Sequence, residues 1–281
     1  MKTVMEVVTA MTDYLAQRSV ESPRLNAELL VAHVLKKKRL DLYLEFDRPL
    51  SEAELEPLRG LLRKRGSGIP LQHLLGTVEF HGRVFRTDAR ALIPRPETEA
   101  LMELILKEPL PENPRFLDVG TGSGIIALTL AGELPGARGV ALDLSPDALA
   151  LARENGAQLD LADRVTWIQS DLLNGLDAGE RFDLVVANLP YIASDEIAAL
   201  SREVQHDPRL ALDGGPRGTE IIERLIDEIR PFLNPGALLA LEIGHDQAEH
   251  LGGVLQQQHY HDVRAKADYQ EILRFLLAQH G

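Results

Sequence analysis

Arg115-Phe-Leu-Asp-Val-Gly-Thr-Gly-Ser-Gly124 is a short apolar strand running into a glycine-rich turn, and Ile125 to Leu134 reads as the helix that follows. Glycines at 120, 122 and 124 let the backbone come close to a ligand, with Thr121 and Ser123 completing the turn. The spacing is G-x-G-x-G with Ile at 125, so the dinucleotide pattern G-x-G-x-x-G is incomplete. Alone, such a turn is an ordinary strand-to-helix connection, and its neighbours raise it above that. The next strand, Gly139 to Leu142, ends in Asp143, 19 residues beyond Gly124, where a carboxylate can accept hydrogen bonds from both hydroxyls of a ribose. Ser145 before Pro146 serves as the helix cap, which leaves Asp143 free for that task. The third strand, Val165 to Gln169, ends in Ser170-Asp171-Leu172, a carboxylate and an apolar side chain where an adenine can lie. Asp171 could equally be a loop carboxylate, and Leu172 could simply fill the core.

Further apolar strands fall near 183–187 and 237–243, alternating with helical stretches. That alternation implies a parallel sheet covered on both faces, with ligands at the carboxyl ends of its strands. Gly120, Asp143, Asp171 and Asn188 all fall at such ends. By periodicity alone Glu271 to Leu277 can be a helix. The fold class is α/β, Rossmann-like.

The fourth strand, Asp183-Leu-Val-Val-Ala-Asn-Leu-Pro-Tyr191, ends in a polar and aromatic tip. Asn188 can offer its side-chain carbonyl as an acceptor, and the backbone carbonyl of Leu189 is a second. Pro190 biases Leu189 toward an extended conformation, giving that carbonyl a defined direction. Tyr191 offers a flat face for stacking on a planar group. Two acceptors facing one NH2 group suit an amide or an exocyclic amine. The bland reading of Asn188 is turn formation before a proline.

Composition narrows the classes. The chain has 281 residues, no cysteine and a formal net charge of −13. Disulfides and thiolate metal sites are excluded, and a reducing compartment fits. No apolar run approaches the roughly 20 residues that span a bilayer, and the N-terminus lacks a signal-peptide core. A cytoplasmic protein is expected. Residues 1–75 carry 12 Lys/Arg against 10 Asp/Glu, whereas the remainder carries 18 against 33. So acidic a second part favours a protein partner over nucleic acid. None of the nine histidines has convincing ligand spacing, and no metal is expected.

The first 74 residues read as helical. Ser22-Pro23 is a helix start, and Ser51-Glu-Ala-Glu54 is a capping-box pattern followed by a helix that Gly66 can end. The basic runs Lys36–Arg39 and Arg63–Arg65 read chiefly as helix-end charges on a solvated surface, or as a contact surface for a macromolecule. Gly66 to Pro70 is linker-like, and Val78 to Phe85 reads as a hairpin turning at His81-Gly82.

Together the turn, Asp143 and the tip resemble the class I S-adenosylmethionine-dependent methyltransferases, and the tip resembles their amino-methylating members, whose motif is usually Asn-Pro-Pro-Tyr. Leu92-Ile-Pro-Arg-Pro-Glu-Thr-Glu99 is similar to the signature of the PrmC/HemK family, which methylates the glutamine of the Gly-Gly-Gln loop in peptide-chain release factors. Asp207 to Gly215 and Leu241 to Gln247 match as well, and the resemblance covers nearly the whole chain. It implies a seven-stranded, mostly parallel sheet in residues 93–281, with Asp262 to Ala267 and Glu271 to Leu277 as its last two strands, a helical substrate-recognition domain in residues 1–74 and a β-hairpin linker at 75–92. It implies S-adenosylmethionine as cofactor, held by Gly120, Thr121, Gly122, Ser123, Gly124, Asp143, Asp171, Leu172 and Asn188. It implies a catalytic, substrate-binding tip of Asn188, Leu189, Pro190 and Tyr191, and a monomer acting on release factors. Position 189 is Leu where the family carries Pro, a form better known from adenine-N6 dimethylases of ribosomal RNA. An adenine-N6 methyltransferase and a non-catalytic binder of release factor therefore stay open as alternatives.

Overall fold

A computed structural model describes residues 2–281 of the chain. It divides into two compact units, one reaching to Thr77 and including Ser201–His206, the other comprising Val78–Leu200 and Asp207–Gly281.

The first unit contains α1 (Val4–Ala16), α2 (Pro23–Leu35), α3 (Asp41–Leu44), α4 (Glu52–Gly66) and α5 (Leu71–Leu75). Its core is built from Val4, Val8, Leu15, Leu30, Val31, Leu42 and Leu50. At the start of α4 the Glu54 carboxylate accepts from both the Ser51 backbone N–H and its hydroxyl, each at 2.8 Å. Pro23 is the first residue of α2 as expected, but Ser22 has φ 45° and makes no side-chain cap. Asn26 Nδ2 donates to the carbonyls of Glu21 and Ser22 at 3.0 and 3.1 Å and holds the bend before the helix, leaving its first N–H groups without a side-chain cap from Ser22.

The basic run at the end of α4 is not uniformly a solvated face. Arg63 and Lys64 are exposed, whereas Arg65 is buried. Its guanidinium donates to Asn26 Oδ1 at 2.6 Å and to the Ile69 carbonyl at 3.2 Å, and it pairs with Glu203. The periodicity of α4 turns this one cation inward, where it satisfies acceptors that water cannot reach.

From Val78 onward the hairpin β1 (Thr77–Phe80) and β2 (Arg83–Arg86) belongs to the second unit. His81 and Gly82 both have positive φ, 48° and 70°, as a tight two-residue hairpin turn requires. Then follow α6 (Pro96–Ile105), β3 (Arg115–Val119), α7 (Ile125–Glu133), β4 (Arg138–Asp143), α8 (Pro146–Gln158), β5 (Val165–Gln169) and β6 (Phe182–Asn188). The remainder is β7 (Ile192–Ala193), β8 (Asp213–Gly215), α9 (Glu220–Ile229), β9 (Leu233–Glu242), α10 (Ala248–Gln257), β10 (Tyr260–Ala267) and β11 (Leu273–His280). Seven strands form one sheet in the order β10-β11-β9-β6-β3-β4-β5. All run parallel except β11, which is antiparallel to both neighbours. Two apolar layers cover the sheet, one containing Leu117, Val119, Val185 and Leu239, the other Phe116, Leu184, Val186 and Ala240.

The ambiguous segment near 271–277 is thus a strand. Phe275 to Ala278 is buried without a break because β11 lies inside the sheet. A continuous apolar run carries no period that separates helix from strand.

Arg65→Met is expected to lower the stability of the first unit by about 2–3 kcal/mol, because it strands the acceptors of Asn26 and Ile69. Arg63→Ala is expected to stay within about 0.5 kcal/mol. Hydrogen exchange of the α2 and α4 amides measures both.

Candidate functional site

The site grows from the ends of β3, β4, β5 and β6. After β3 the chain turns with Gly120, Gly122 and Gly124 all at positive φ, 75°, 55° and 82°. The N–H groups of Gly120 and Thr121 both donate to the Leu142 carbonyl at 2.9 Å, and Gly124 N–H donates to the Thr121 carbonyl at 2.8 Å. Gly122 N–H donates to Asp143 Oδ2 at 2.8 Å. A phosphate-binding turn aims its N–H groups at the ligand. Here four are already engaged, so the turn suits a ligand that approaches by shape and not by anionic charge.

Beneath the turn lies Asp118, fully buried, accepting from Thr121 Oγ1 at 2.6 Å and Ala127 N–H at 3.1 Å. Burial pushes its pKa up to about 7. Its other oxygen, Oδ1, has no protein partner, which leaves an open acceptor at the base of the turn.

Asp143 ends β4. Its Oδ1 accepts from Ser145 N–H at 2.8 Å, while Ser145 Oγ accepts from Ala148 N–H at 3.2 Å and caps α8. Ser145 is the cap read from the sequence, yet Asp143 is not wholly free, since each of its oxygens already takes one backbone donor. One lone pair per oxygen remains, enough for two hydroxyls. Burial raises the Asp143 pKa against the pull of those donors. At the end of β5, Asp171 is half-exposed and is held by Arg224 Nη1 at 2.9 and 3.1 Å. The Ser170 hydroxyl donates to the Leu172 carbonyl at 2.6 Å and fixes the bend, where Leu172 has φ 46°.

The tip after β6 is braced from three sides. Asn188 Nδ2 donates to Thr98 Oγ1 at 3.0 Å, and Thr98 donates onward to Glu242 Oε2 at 2.7 Å. The Tyr191 carbonyl accepts from Gln247 Nε2 at 2.9 Å. A Cβ on Gly214 would come within 2.7 Å of the Pro190 carbonyl, so β8 packs here backbone to backbone. The Pro-Arg-Pro block is anchored separately, with Ile93 N–H on Asp207 Oδ1 at 3.1 Å and Arg95 Nη2 on Asp207 Oδ2.

One cavity of about 250 Å³ gathers these parts. Gly120, Thr121, Gly122, Ser123, Asp143, Asp171, Leu172, Asn188, Leu189 and Pro190 line it. Two sequence-nominated residues lie off its wall. Gly124 caps α7, and a Cβ there would sit 3.0 Å from Ala152 and 3.1 Å from Trp167, so the bare backbone lets the turn pack closely against α8 and β5. Tyr191 packs against the apolar core, and burial pushes its phenol pKa well up.

Arg90, Arg95, Thr98 and Arg224 also line the cavity, and no local pattern in the sequence marks any of them as a site residue. Thr98 and Glu242 lie in the family-like stretches 92–99 and 241–247, where no local pattern marks them as partners of Asn188.

The chain matches the PrmC N-terminal domain over residues 6–76 and a methyltransferase domain over residues 116–206. Among solved structures it resembles a methyltransferase from Pyrococcus furiosus, with TM-score 0.53 and 19% identity over 69% of this chain and 87% of that one. It also resembles a 16S rRNA N2 G1207 methyltransferase of T. thermophilus, with TM-score 0.54 and 17% identity over 73% and 50% of the two chains. These likenesses concern the fold. The release factor glutamine methyltransferase of Chlorobaculum tepidum is 40% identical over 97% of this chain and 96% of its own. That of Geobacter sulfurreducens is 40% identical over 95% and 93%. At that similarity over nearly the full length of both partners, the chain belongs to the release factor glutamine methyltransferase family.

Proposed function

We propose that the protein transfers a methyl group from S-adenosylmethionine to the side-chain amide nitrogen (N5) of the glutamine in the Gly-Gly-Gln loop of peptide-chain release factors. The observation that carries this reading is the hold on Asn188. With Nδ2 committed to Thr98, the amide offers Oδ1 to the cavity beside the start of Leu189-Pro190. An acceptor there suits a substrate that brings N–H groups.

The cavity fits the cofactor. The glycine turn leaves room for close approach, Asp143 keeps two lone pairs for a ribose, and Leu172 with Ile126 and Leu144 gives an apolar wall for the adenine. Asp171, tied to Arg224, frames that end of the cavity as an ion pair. When bound, S-adenosylmethionine supplies a methyl group activated on a sulfonium.

The protein's own task concerns the nucleophile. An amide nitrogen is planar, with its lone pair delocalised into the carbonyl. Asn188 Oδ1 and the Leu189 carbonyl accept its two N–H groups and fix its position. The same acceptors stabilise positive charge growing on nitrogen as conjugation is lost. Tyr191 supports the tip from behind through packing and through the Gln247 bond to its carbonyl. The released proton passes to water. On this reading the enzyme acts as a monomer on release factors in the cytoplasm.

Labelled methyl from S-adenosylmethionine should appear on unmethylated release factor and not on a variant with Ala in place of the loop glutamine. Label on ribosomal RNA alone would overturn the assignment. Asn188→Ala should lower kcat by about 10²–10³-fold with a smaller loss of cofactor affinity, and near-normal turnover would remove Asn188 from the mechanism. Asp143→Ala should weaken S-adenosylmethionine binding about 10- to 100-fold by calorimetry, the loss expected for hydrogen bonds to a charged group.

A further inference from the structure

Glu242 is fully buried, ends β9 and stands in register with Asn188 at the end of the adjacent parallel strand β6. Residues paired across a parallel sheet project to the same face, so both side chains leave the sheet at one level. Thr98, in the first turn of α6, lies between them, 2.7 Å from Glu242 Oε2 and 3.0 Å from Asn188 Nδ2. The three side chains form one hydrogen-bonded cluster, in which Thr98 bridges Asn188 and Glu242 and the Asn188 amide also reaches the Glu242 carboxylate.

We infer that Glu242 is a positioning residue that sets, through Thr98, which end of the Asn188 amide faces the substrate. A threonine hydroxyl has one proton and two lone pairs, and an ionised carboxylate can only accept. Thr98 must therefore give its proton to Glu242. Toward Asn188 it then presents only lone pairs, and only the NH2 end of the amide can satisfy those. Oδ1 is left facing the cavity. Reversing the amide would set two acceptors against each other in a buried site, at the cost of an unmade hydrogen bond. The inference rests on the proposed function only for what Oδ1 then binds.

The charge state of Glu242 governs the device. Burial pushes its pKa up to about 7, helped by Glu97 on α6, while Thr98, Asn188 and Arg274 of β11 oppose the rise. The Tyr191 phenol also faces it, raised too far to titrate in this range. Once protonated, Glu242 can donate to Thr98 Oγ1. The hydroxyl proton is then free to turn toward Asn188, and the amide loses its fixed sense. Turnover is therefore expected to fall as pH drops through about 7. Glu242→Gln brings both donor and acceptor to Thr98 and removes the bias at every pH.

Three variants and two readouts test this. Glu242→Gln and Thr98→Val should each lower kcat about tenfold or more, with S-adenosylmethionine affinity held within about twofold, while Thr98→Ser, which keeps the hydroxyl, should retain turnover. The acidic limb of the kcat profile near pH 7 should vanish in Glu242→Gln. A limb that persists there belongs to another group, such as the buried Asp118, and overturns the inference, as does wild-type kcat in Glu242→Gln. Independently of any substrate, the Asn188 side-chain NH2 resonances, identified by their loss in Asn188→Ala, should titrate near pH 7 in the wild type. They should be flat in Glu242→Gln, and titration that persists in that variant overturns the inference. A wild-type protein that methylates no release factor would sink the proposed function and leave this titration to decide the inference alone.

Discussion

Everything at the site depends on the parallel register of β3, β4, β6 and β9. The pairs Val119 with Leu142, Val119 with Ala187, and Asn188 with Glu242 bring these strands to an end at nearly one level. Backbone groups beyond the last pair lose their sheet partners, and buried polar groups must be matched. The chain meets that demand with side chains and turns. Leu142 gives its carbonyl to two N–H groups of the glycine turn, Asp143 accepts from two backbone donors, and Thr98 links Asn188 to Glu242. The same unpaired strand ends that require matching also provide the cavity floor, so the polar groups of the site are the fold's own terminal bookkeeping.

Close backbone approach is the second constraint. A side chain at Gly214 would collide with the Pro190 carbonyl, and one at Gly120 would lie 2.9 Å from Leu189 Cδ2. Leu189 is itself buried, filling space against the glycine turn. Leu189 thus places its side chain against the turn and keeps the backbone carbonyl of the tip. It binds the two halves of the site to each other through apolar contact, the interaction least sensitive to the exact direction of approach.

The three stretches that matched a family without an evident task each turn out to brace the tip or its neighbour. Asp207 anchors the Ile93–Arg95 segment, and Gly214 admits β8 beside Pro190. Glu242 and Gln247 hold Asn188 and Tyr191 from the far side. Their polar atoms are spent on the protein, which is why none has the exposed, clustered character of a binding residue.

The sequence by itself determined the alternation of strands and helices, the glycine turn, the carboxylate after the second strand and the polar tip after the fourth. Each is a local pattern: a hydrophobic run, a turn that needs positive φ, or a residue at a strand end. It also determined the hairpin at His81-Gly82 for the same reason. Tertiary structure alone decided that the last apolar run is a strand inside the sheet, that Gly124 lies close against Ala152 and Trp167, that Tyr191 packs against the apolar core and that Arg65 points inward. It alone decided that Thr98 and Glu242, 90 and 54 residues from Asn188 along the chain, are its partners. Hydrogen-bond polarity passes between side chains through space, and no periodicity along the chain encodes which distant strand and helix will meet.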